Sequence, residues 1–492
     1  MLRTIFRKEL LENIHSYRFP LFALICVVLI PLGLFVNNAQ YAKRLKDYNE
    51  QVRLSDTASS GVKIQDLMAG RVTIKGFRPP SQLSVFAQGL ENSLPRYYQF
   101  AQDGFSQGES SSGDETLTST QGRLDFVFLI QMVISLVGLL FASDVISGEK
   151  ESGTLRAMLS NCLPRDAILL GKISGGFMAL LAPFLVALVL GVMLLVPGGF
   201  PLFAGDTPGR IAVLAAFAAL FILIYFVIGT MVSATSAKAR TSLVAILLIW
   251  TGFQLVIPKL SDMAAGLIYP VRTDTQVSLE KSLLVNSLET ESAKEMGREY
   301  DKIFAGAKPG AANDPNTPEM KKWAPIRDDL QLALREKKAS QLAAIDETFL
   351  QQQRRQRSLA SALSLISPSS AFSRLAADLC GTGDLARTKY FEAVRSHQKA
   401  LDNELFSKVK RTLMMHDDGR TTMMFSAEPV DPKKLPKFAV APSSVGEALK
   451  ANTGSIAALL FWLIAPFAFA YVRFLRYDVR KGRGICVIAS AA

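Results

Sequence analysis

The chain has 492 residues, and 49% of them are hydrophobic. Its mean hydropathy of +0.23 is high for a protein that lives in water. In a soluble chain the net charge of +12 points to nucleic acid, but here much of it lies at the ends of apolar runs, so a membrane is expected and no nucleic-acid partner.

Residues 1–18 read as a helix lying on a membrane surface. Leu2, Ile5, Phe6, Leu10 and Ile14 recur at helical spacing, while Arg3, Arg7, Lys8 and Glu12 fill other positions. A solvated basic tail is the plain alternative. Six apolar runs follow, at 19–36, 124–142, 173–196, 211–232, 243–260 and 456–472. Each is close to the ~20 residues that cross a hydrocarbon layer about 30 Å thick. Buried core helices of a soluble protein would not supply six runs of this length with so few charges. In lipid each run must be a helix, because only a helix satisfies its own backbone. Pro31 and Pro183 fall inside two of them and are expected to kink them locally. The first run is read as a retained anchor, since it is longer than the core of a cleaved leader and no small-x-small site follows.

Arg and Lys flank the runs at 1–18, 143–172, 238–240 and 473–492, whereas 197–210 carries only Arg210. The positive-inside rule then places both termini in the cytoplasm and the long connections 37–123 and 261–454 outside. The first outer segment opens on a polar helical stretch at 42–52. It then turns irregular, and 104–113 reads as a flexible Gly/Ser linker. The second is long enough for a domain of its own and is mostly helical by pattern. Its apolar stripes are Met296, Tyr300, Ile303 and Phe304, then Leu334, Leu342, Ile345 and Phe349, then Phe391, Val394, Leu401, Leu405 and Val409. A break at 308–318 separates the first two stripes, and 429–442 reads as the return linker to the sixth run. Four cysteines (Cys26, Cys162, Cys380, Cys486) leave only Cys380 outside, so no disulfide framework forms there. His15, His397 and His416 are too scattered for a metal site, and His397 shares a helical face with Val394 and Leu401, which suits a packed role.

Catalytic signatures are missing from the sequence. No G-x-x-x-x-G-K-[ST] phosphate loop, H-E-x-x-H or G-x-S-x-G occurs, so the chain is not expected to hydrolyse ATP or peptides itself. The middles of the six runs also lack Asp, Glu, Lys and Arg, which argues against an ion-coupled carrier. Energy for any movement would come from another protein. Segment 143–172 is where it could enter. Ser147-Gly148 breaks the chain after the second run, Glu149-Lys150-Glu151 presents both signs of charge, and 153–159 can form a short helix that Pro164 ends. Composition alone leaves open whether this segment transmits a push or is a solvated loop.

Glu149, Glu151, Gly153, Thr154, Leu155, Leu159, Ser160, Pro164, Arg165, Gly171 and Lys172 match a wider pattern. It resembles the coupling region of ABC-2-type export permeases. The run Phe6-Arg7-Lys8-Glu9-Leu10, which follows Ile5 in the interfacial helix, is similar to the amphipathic first helix of that family. A second resemblance, carried by Ser367-Pro-Ser-Ser-Ala-Phe372, Cys380-Gly-Thr-Gly383 and Tyr390-Phe391, is to the branch with a large outer domain of unknown function between spans five and six. That branch includes permeases associated with copper-enzyme maturation and gliding motility.

The resemblance implies an all-α integral membrane protein of the bacterial inner membrane, with six transmembrane helices and a helical outer domain. It implies a half-transporter: a second permease subunit, identical or related, faces the first, and two cytoplasmic ABC ATPase subunits bind beneath. Glu149, Glu151, Thr154 and Arg156 would contact the ATPase, Gly153 and Pro164 would shape the contact helix, and Leu155 and Arg165 would complete the site. The chain would bind no cofactor of its own, ATP and Mg being used by the ATPase. A membrane-anchored scaffold that recruits envelope proteins, and an ATP-driven mechanical transmitter, are the rival readings.

Overall fold

The computed structural model describes residues 2–59, 73–101, 104–108, 125–160, 164–307, 312, 317–404, 410–415, 421–426 and 436–477. Cys162, His416, Cys486, Leu405, Val409 and most of the tail 473–492 lie outside them, as do parts of the stretches read as linkers. Helix α1 (Leu2–His15) is followed by α2 (Arg18–Ser59). The first apolar run and the polar stretch at 42–52 form one uninterrupted helix of 42 residues, about 63 Å long at 1.5 Å per residue. Phe22, Cys26, Ile30 and Leu34, four residues apart, are its buried stripe. Leu21, Leu24, Val28, Leu32 and Phe35 are exposed on its other sides, as contact with lipid requires.

Three strands come next, β1 (Ile74–Phe77), β2 (Tyr97–Ala101) and β3 (Gly104–Gln107), in an antiparallel sheet of that order. The start of the Gly/Ser run is therefore not a linker: Gly104–Gln107 is an edge strand paired with Tyr98–Ala101. Its cause is the partner strand, whose alternate residues Tyr98 and Phe100 are buried against the later helix that carries Tyr390, Val394 and Leu401.

Helix α3 covers 126–142. The Asp125 carboxylate caps it, accepting from the Phe128 amide at 2.7 Å. A π-helical turn, Ile130–Ile134, interrupts it. Two short helices, α4 (Ser147–Ser152) and α5 (Thr154–Ser160), precede α6 (Arg165–Leu195), α7 (Thr207–Thr235) and α8 (Ala239–Ile268). Helix α8 contains a second π turn, Gly252–Val256.

A hairpin of two long helices follows, α9 (Asp274–Phe304) and α10 (Pro318–Ser364). Lys281–Asp346, Lys338–Glu289 and Lys337–Glu291 pair across it, and Tyr300, Phe304 and Trp323 pack together near its far end. Helices α11 (Pro368–Leu379) and α12 (Asp384–Glu404), a strand pair β4 (Lys410–Met415) and β5 (Thr421–Ser426), and helices α13 (Val445–Ala451) and α14 (Thr453–Leu475) complete the described chain.

Among the described residues six helices are long and apolar enough to cross a membrane: α2, the stretch built on α3, α6, α7, α8 and α14. The protein is an all-α membrane protein carrying two small sheets. Helix α6 packs on α2, while α3 and α14 pack on α7, whose second half (Phe221–Ala234) is almost wholly buried. Gly229 makes the α7–α3 approach possible: a Cβ there would lie 2.5 Å from that of Ala142. Pro31 and Pro183 sit within helices that continue through them. Six passes bring α1 and the end of α14 to one face of the bundle, the terminal face. The three-stranded sheet and α9–α13 belong to the distal face.

His397 in α12 is 7% exposed, its ring 4.7 Å from that of Phe100 and 5.4 Å from that of Phe438. Burial holds its pKa below the ordinary histidine value. The unfolded chain therefore takes up a proton before the folded one, and stability falls as pH drops through and below about 6.5. Amide exchange in α12, corrected for the intrinsic rate, is expected to quicken between pH 7 and pH 5, and His397→Phe should remove that dependence.

Candidate coupling site

The terminal face is built on a glycine trough. Gly171 and Gly175 lie one turn apart on α6, and α1 rests in the groove they leave. A Cβ on Gly175 would come within 2.8 Å of the Glu9 Cβ and 3.0 Å of the Phe6 carbonyl oxygen, and one on Gly171 within 2.6 Å of Ile5. This is small-xxx-small packing, which lets two helix backbones approach closely. Ile5, Phe6 and Leu10 are half-buried, Glu9 is buried, and Arg7 and Lys8 are exposed.

Lys172 stands between the two glycines and is 2% exposed. Its Nζ donates to Glu9 Oε1 at 2.8 Å and lies 2.7 Å from Glu149 Oε1. A buried ammonium is tolerated only when paired and hydrogen-bonded. The bridge ties three elements together: α1 through Glu9, α4 through Glu149, and the third span through Lys172 itself.

Helix α4 has further ties. Ser233 Oγ in α7 accepts from the Ile146 and Ser147 amides at 3.0 and 2.9 Å, satisfying orphan donors at the start of α4. Lys150 Nζ donates to the Ala234 carbonyl and, at 3.1 Å, to that of Ser236, where α7 ends. Glu151 Oε2 accepts from the Ala239 amide at 3.1 Å, at the first turn of α8. Gly153 then turns the chain with φ +79, a left-handed conformation that favours glycine, and α5 begins at Thr154. Leu155 points inward and is fully buried, while Thr154, Arg156 and Ala157 are exposed.

Pro164 opens α6 as its N-cap, and α5 ends at Ser160. The third span thus begins as a helix at Arg165, upstream of the apolar run, because Pro at a helix start supplies the right φ and withholds no needed donor. Arg165 Nη1 donates to the carbonyls of Phe474, Leu475 and Tyr477, capping the end of α14. Arg18 and Asp144 pair at 2.9 Å on the same face.

The structure therefore brings the two sets of sequence-derived residues together at Lys172. It turns Glu149 inward, uses Glu151 and Arg165 as caps for neighbouring spans, and leaves Thr154 and Arg156 outward. Sequence reasoning counted Lys172 among the loop charges and the coupling-pattern residues, with no partner assigned to it. A usable signal was Glu9, an acid on the face shared by Ile5, Phe6 and Asn13, which calls for a buried basic partner. Ser233 carries no such signal, since a lone serine in an apolar run looks like any small packing residue. Among the described residues no group of His, Cys, Asp and Glu could hold a metal ion.

A family model described as ABC-2 family transporter protein matches residues 3–479. The chain belongs to the ABC-2 transporter family. No curated protein matches it. ABC-2 proteins of this kind are membrane components, normally not catalytic themselves, that generally work with a cytoplasmic ABC ATPase. The match spans α1, all six spans and the distal helices, so the elbow α4–α5 is part of an ABC-2 architecture.

Proposed function

We propose that this ABC-2 protein is the permease subunit of an ATP-driven exporter in a bacterial inner membrane, with the terminal face in the cytoplasm. The Lys172 bridge is the observation that carries the reading. An elbow held at one end by a buried ion pair, and by Ser233, Lys150 and Glu151 to spans four and five, cannot move without moving those spans. The exposed side of α5, with Thr154, Arg156 and Ala157, is the surface offered to an ATPase subunit, with Gly153 and Pro164 setting its limits. Glu149, Glu151 and Arg165 transmit the movement instead of making the contact. A second permease subunit, identical or related, would face this one. Span five, whose flank carries the exposed Val244, Leu248, Leu260 and Leu267, is the most open of the six.

Arg156→Glu is expected to lower stimulation of the partner ATPase at least tenfold while the chain still inserts and unfolds as the parent does. ATPase assays on the co-purified complex in nanodiscs check this. Unchanged stimulation, or the absence of any ATPase in the purified assembly, would remove the reading.

The distal hairpin supports a second reading. Helix α10 joins α11, which is seated among the spans, so span movement could drive the 47-residue α10 against envelope proteins. This matches the resemblance to permeases tied to copper-enzyme maturation and gliding. Cargo-stimulated ATP turnover in liposomes would favour export, and its absence with an intact ATPase response would favour mechanical transmission.

A further inference from the structure

Helix α11 belongs by sequence to the distal domain, yet it fills the distal half of the bundle. Pro368, Ala371, Phe372, Leu375, Ala376 and Leu379 are all buried. The Phe372 ring stacks on Phe221, in the middle of α7, at 4.5 Å. Its far end is held at the rim, where Arg210 donates to the Leu379 carbonyl at 2.8 Å and Asn452 Nδ2 donates to Asp378 at 2.7 Å.

The inner end of α11 meets the two π turns. Ser367 Oγ donates to the Phe253 carbonyl at 2.6 Å, and Ser369 Oγ to Gln254 Oε1 at 2.5 Å. From the other side, Gln131 Nε2 donates to the Ser369 carbonyl at 2.7 Å. Gln254 Nε2 closes the ring by donating to the Gln131 carbonyl at 2.7 Å. Beneath it, Ser135 Oγ accepts from Trp250 Nε1 at 3.0 Å and Gln254 Nε2 at 3.2 Å. Gln131 lies in the π turn of span two, and Phe253 and Gln254 lie in that of span five. Wide turns leave carbonyls open to outside donors and recur where helices change register.

We infer that this ring is a releasable lock, in which spans two and five close on the tip of α11 and seal the distal half of the bundle. Its purpose as the gate of a transport path rests on the permease reading, but the lock itself needs neither ATPase nor cargo. Hydrogen bonds between membrane helices are individually modest, so a ring of a few of them can open and close. Losing the Ser369 Oγ–Gln254 bond releases the Gln254 side chain and, with it, the hold on the Gln131 carbonyl of span two, while Phe372, Arg210 and Asn452 keep α11 on spans four and six. The freed π turns can then relax by one residue of register.

Water access beneath the ring tests this. Ser135→Cys places a thiol at a fully buried site, and its reaction with a small water-soluble thiosulfonate is followed on the full chain in nanodiscs. Slow labelling is expected in that background. Adding Ser369→Ala or Gln254→Leu should raise the rate at least tenfold, and Ser369→Thr, which keeps the hydroxyl, should leave it slow. Thr230→Ala, which removes a buried hydroxyl of span four outside the ring, should also leave it slow. Equal rates in all variants, or an equal rise with Thr230→Ala, would overturn the lock. Thermal unfolding is recorded in parallel, and if Gln254→Leu fails to fold, the single-hydroxyl change Ser369→Ala decides the matter.

Discussion

Replacing Lys172 with methionine is expected to destabilise the folded chain by about 3–5 kcal/mol, the usual cost of leaving a buried charge without its partner. Two carboxylates, Glu9 and Glu149, would then face each other in an enclosed site with no counter-charge. Their side chains are 8% and 17% exposed, against 2% for Lys172, so solvent screens them little. Adding Glu9→Gln and Glu149→Gln to the methionine variant should restore most of the loss, because the site is then uncharged. The triple variant should still stimulate an ATPase poorly, since the bridge between elbow and third span is gone. Thermal unfolding in nanodiscs measures the first effect. A loss under about 1 kcal/mol for the single variant would put the pair in the range of exposed salt bridges and take away its role as a mechanical link.

Gly175→Leu should act on the same junction from the packing side. Even one added carbon would stand 2.8 Å from the Glu9 side chain and 3.0 Å from the Phe6 carbonyl. The Phe6 carbonyl is backbone and cannot step aside, so a leucine must lift α1 off α6. Overpacking of this kind costs about 1–3 kcal/mol or more, and here it also pulls Glu9 from Lys172. Trypsin cleavage at Arg3, Arg7 and Lys8 should become markedly faster as α1 detaches. Gly209→Ala is the control: nothing lies within 4 Å of the added carbon, and alanine in a helix is worth up to about 1 kcal/mol over glycine. Fast cleavage in both variants would show that α1 is loosely held in the parent protein.

Both experiments turn on one residue whose weight the sequence understated. Lys172 closes a row of basic positions at the end of a polar segment, where the simplest reading is a solvated charge obeying the positive-inside rule. Its burial depends on Gly171 and Gly175 admitting α1 and on Ser233 holding α4 in place, contacts between residues far apart in the chain. Glu151 and Arg165 were legible as charged members of the elbow, but their partners are a backbone amide at Ala239 and backbone carbonyls at Phe474–Tyr477. A backbone group has no signature in a sequence, so no pattern could have paired them. The β1–β3 sheet was missed for a related reason. Its edge strand Gly104–Gln107 has the composition of a linker and is ordered only by pairing with Tyr98–Ala101.

Six long apolar runs, the glycine and proline positions of the elbow, and the missing catalytic motifs were set by the sequence alone. Each depends on local composition: a hydrocarbon layer selects about 20 apolar residues in a row, and a left-handed turn selects glycine. Tertiary structure alone decided that Lys172 is a buried bridge, that α11 enters the bundle, and that the two π turns meet at Gln131 and Gln254. Those facts depend on which helices lie side by side, and the free energy of pairing distant polar groups appears only once the spans have packed.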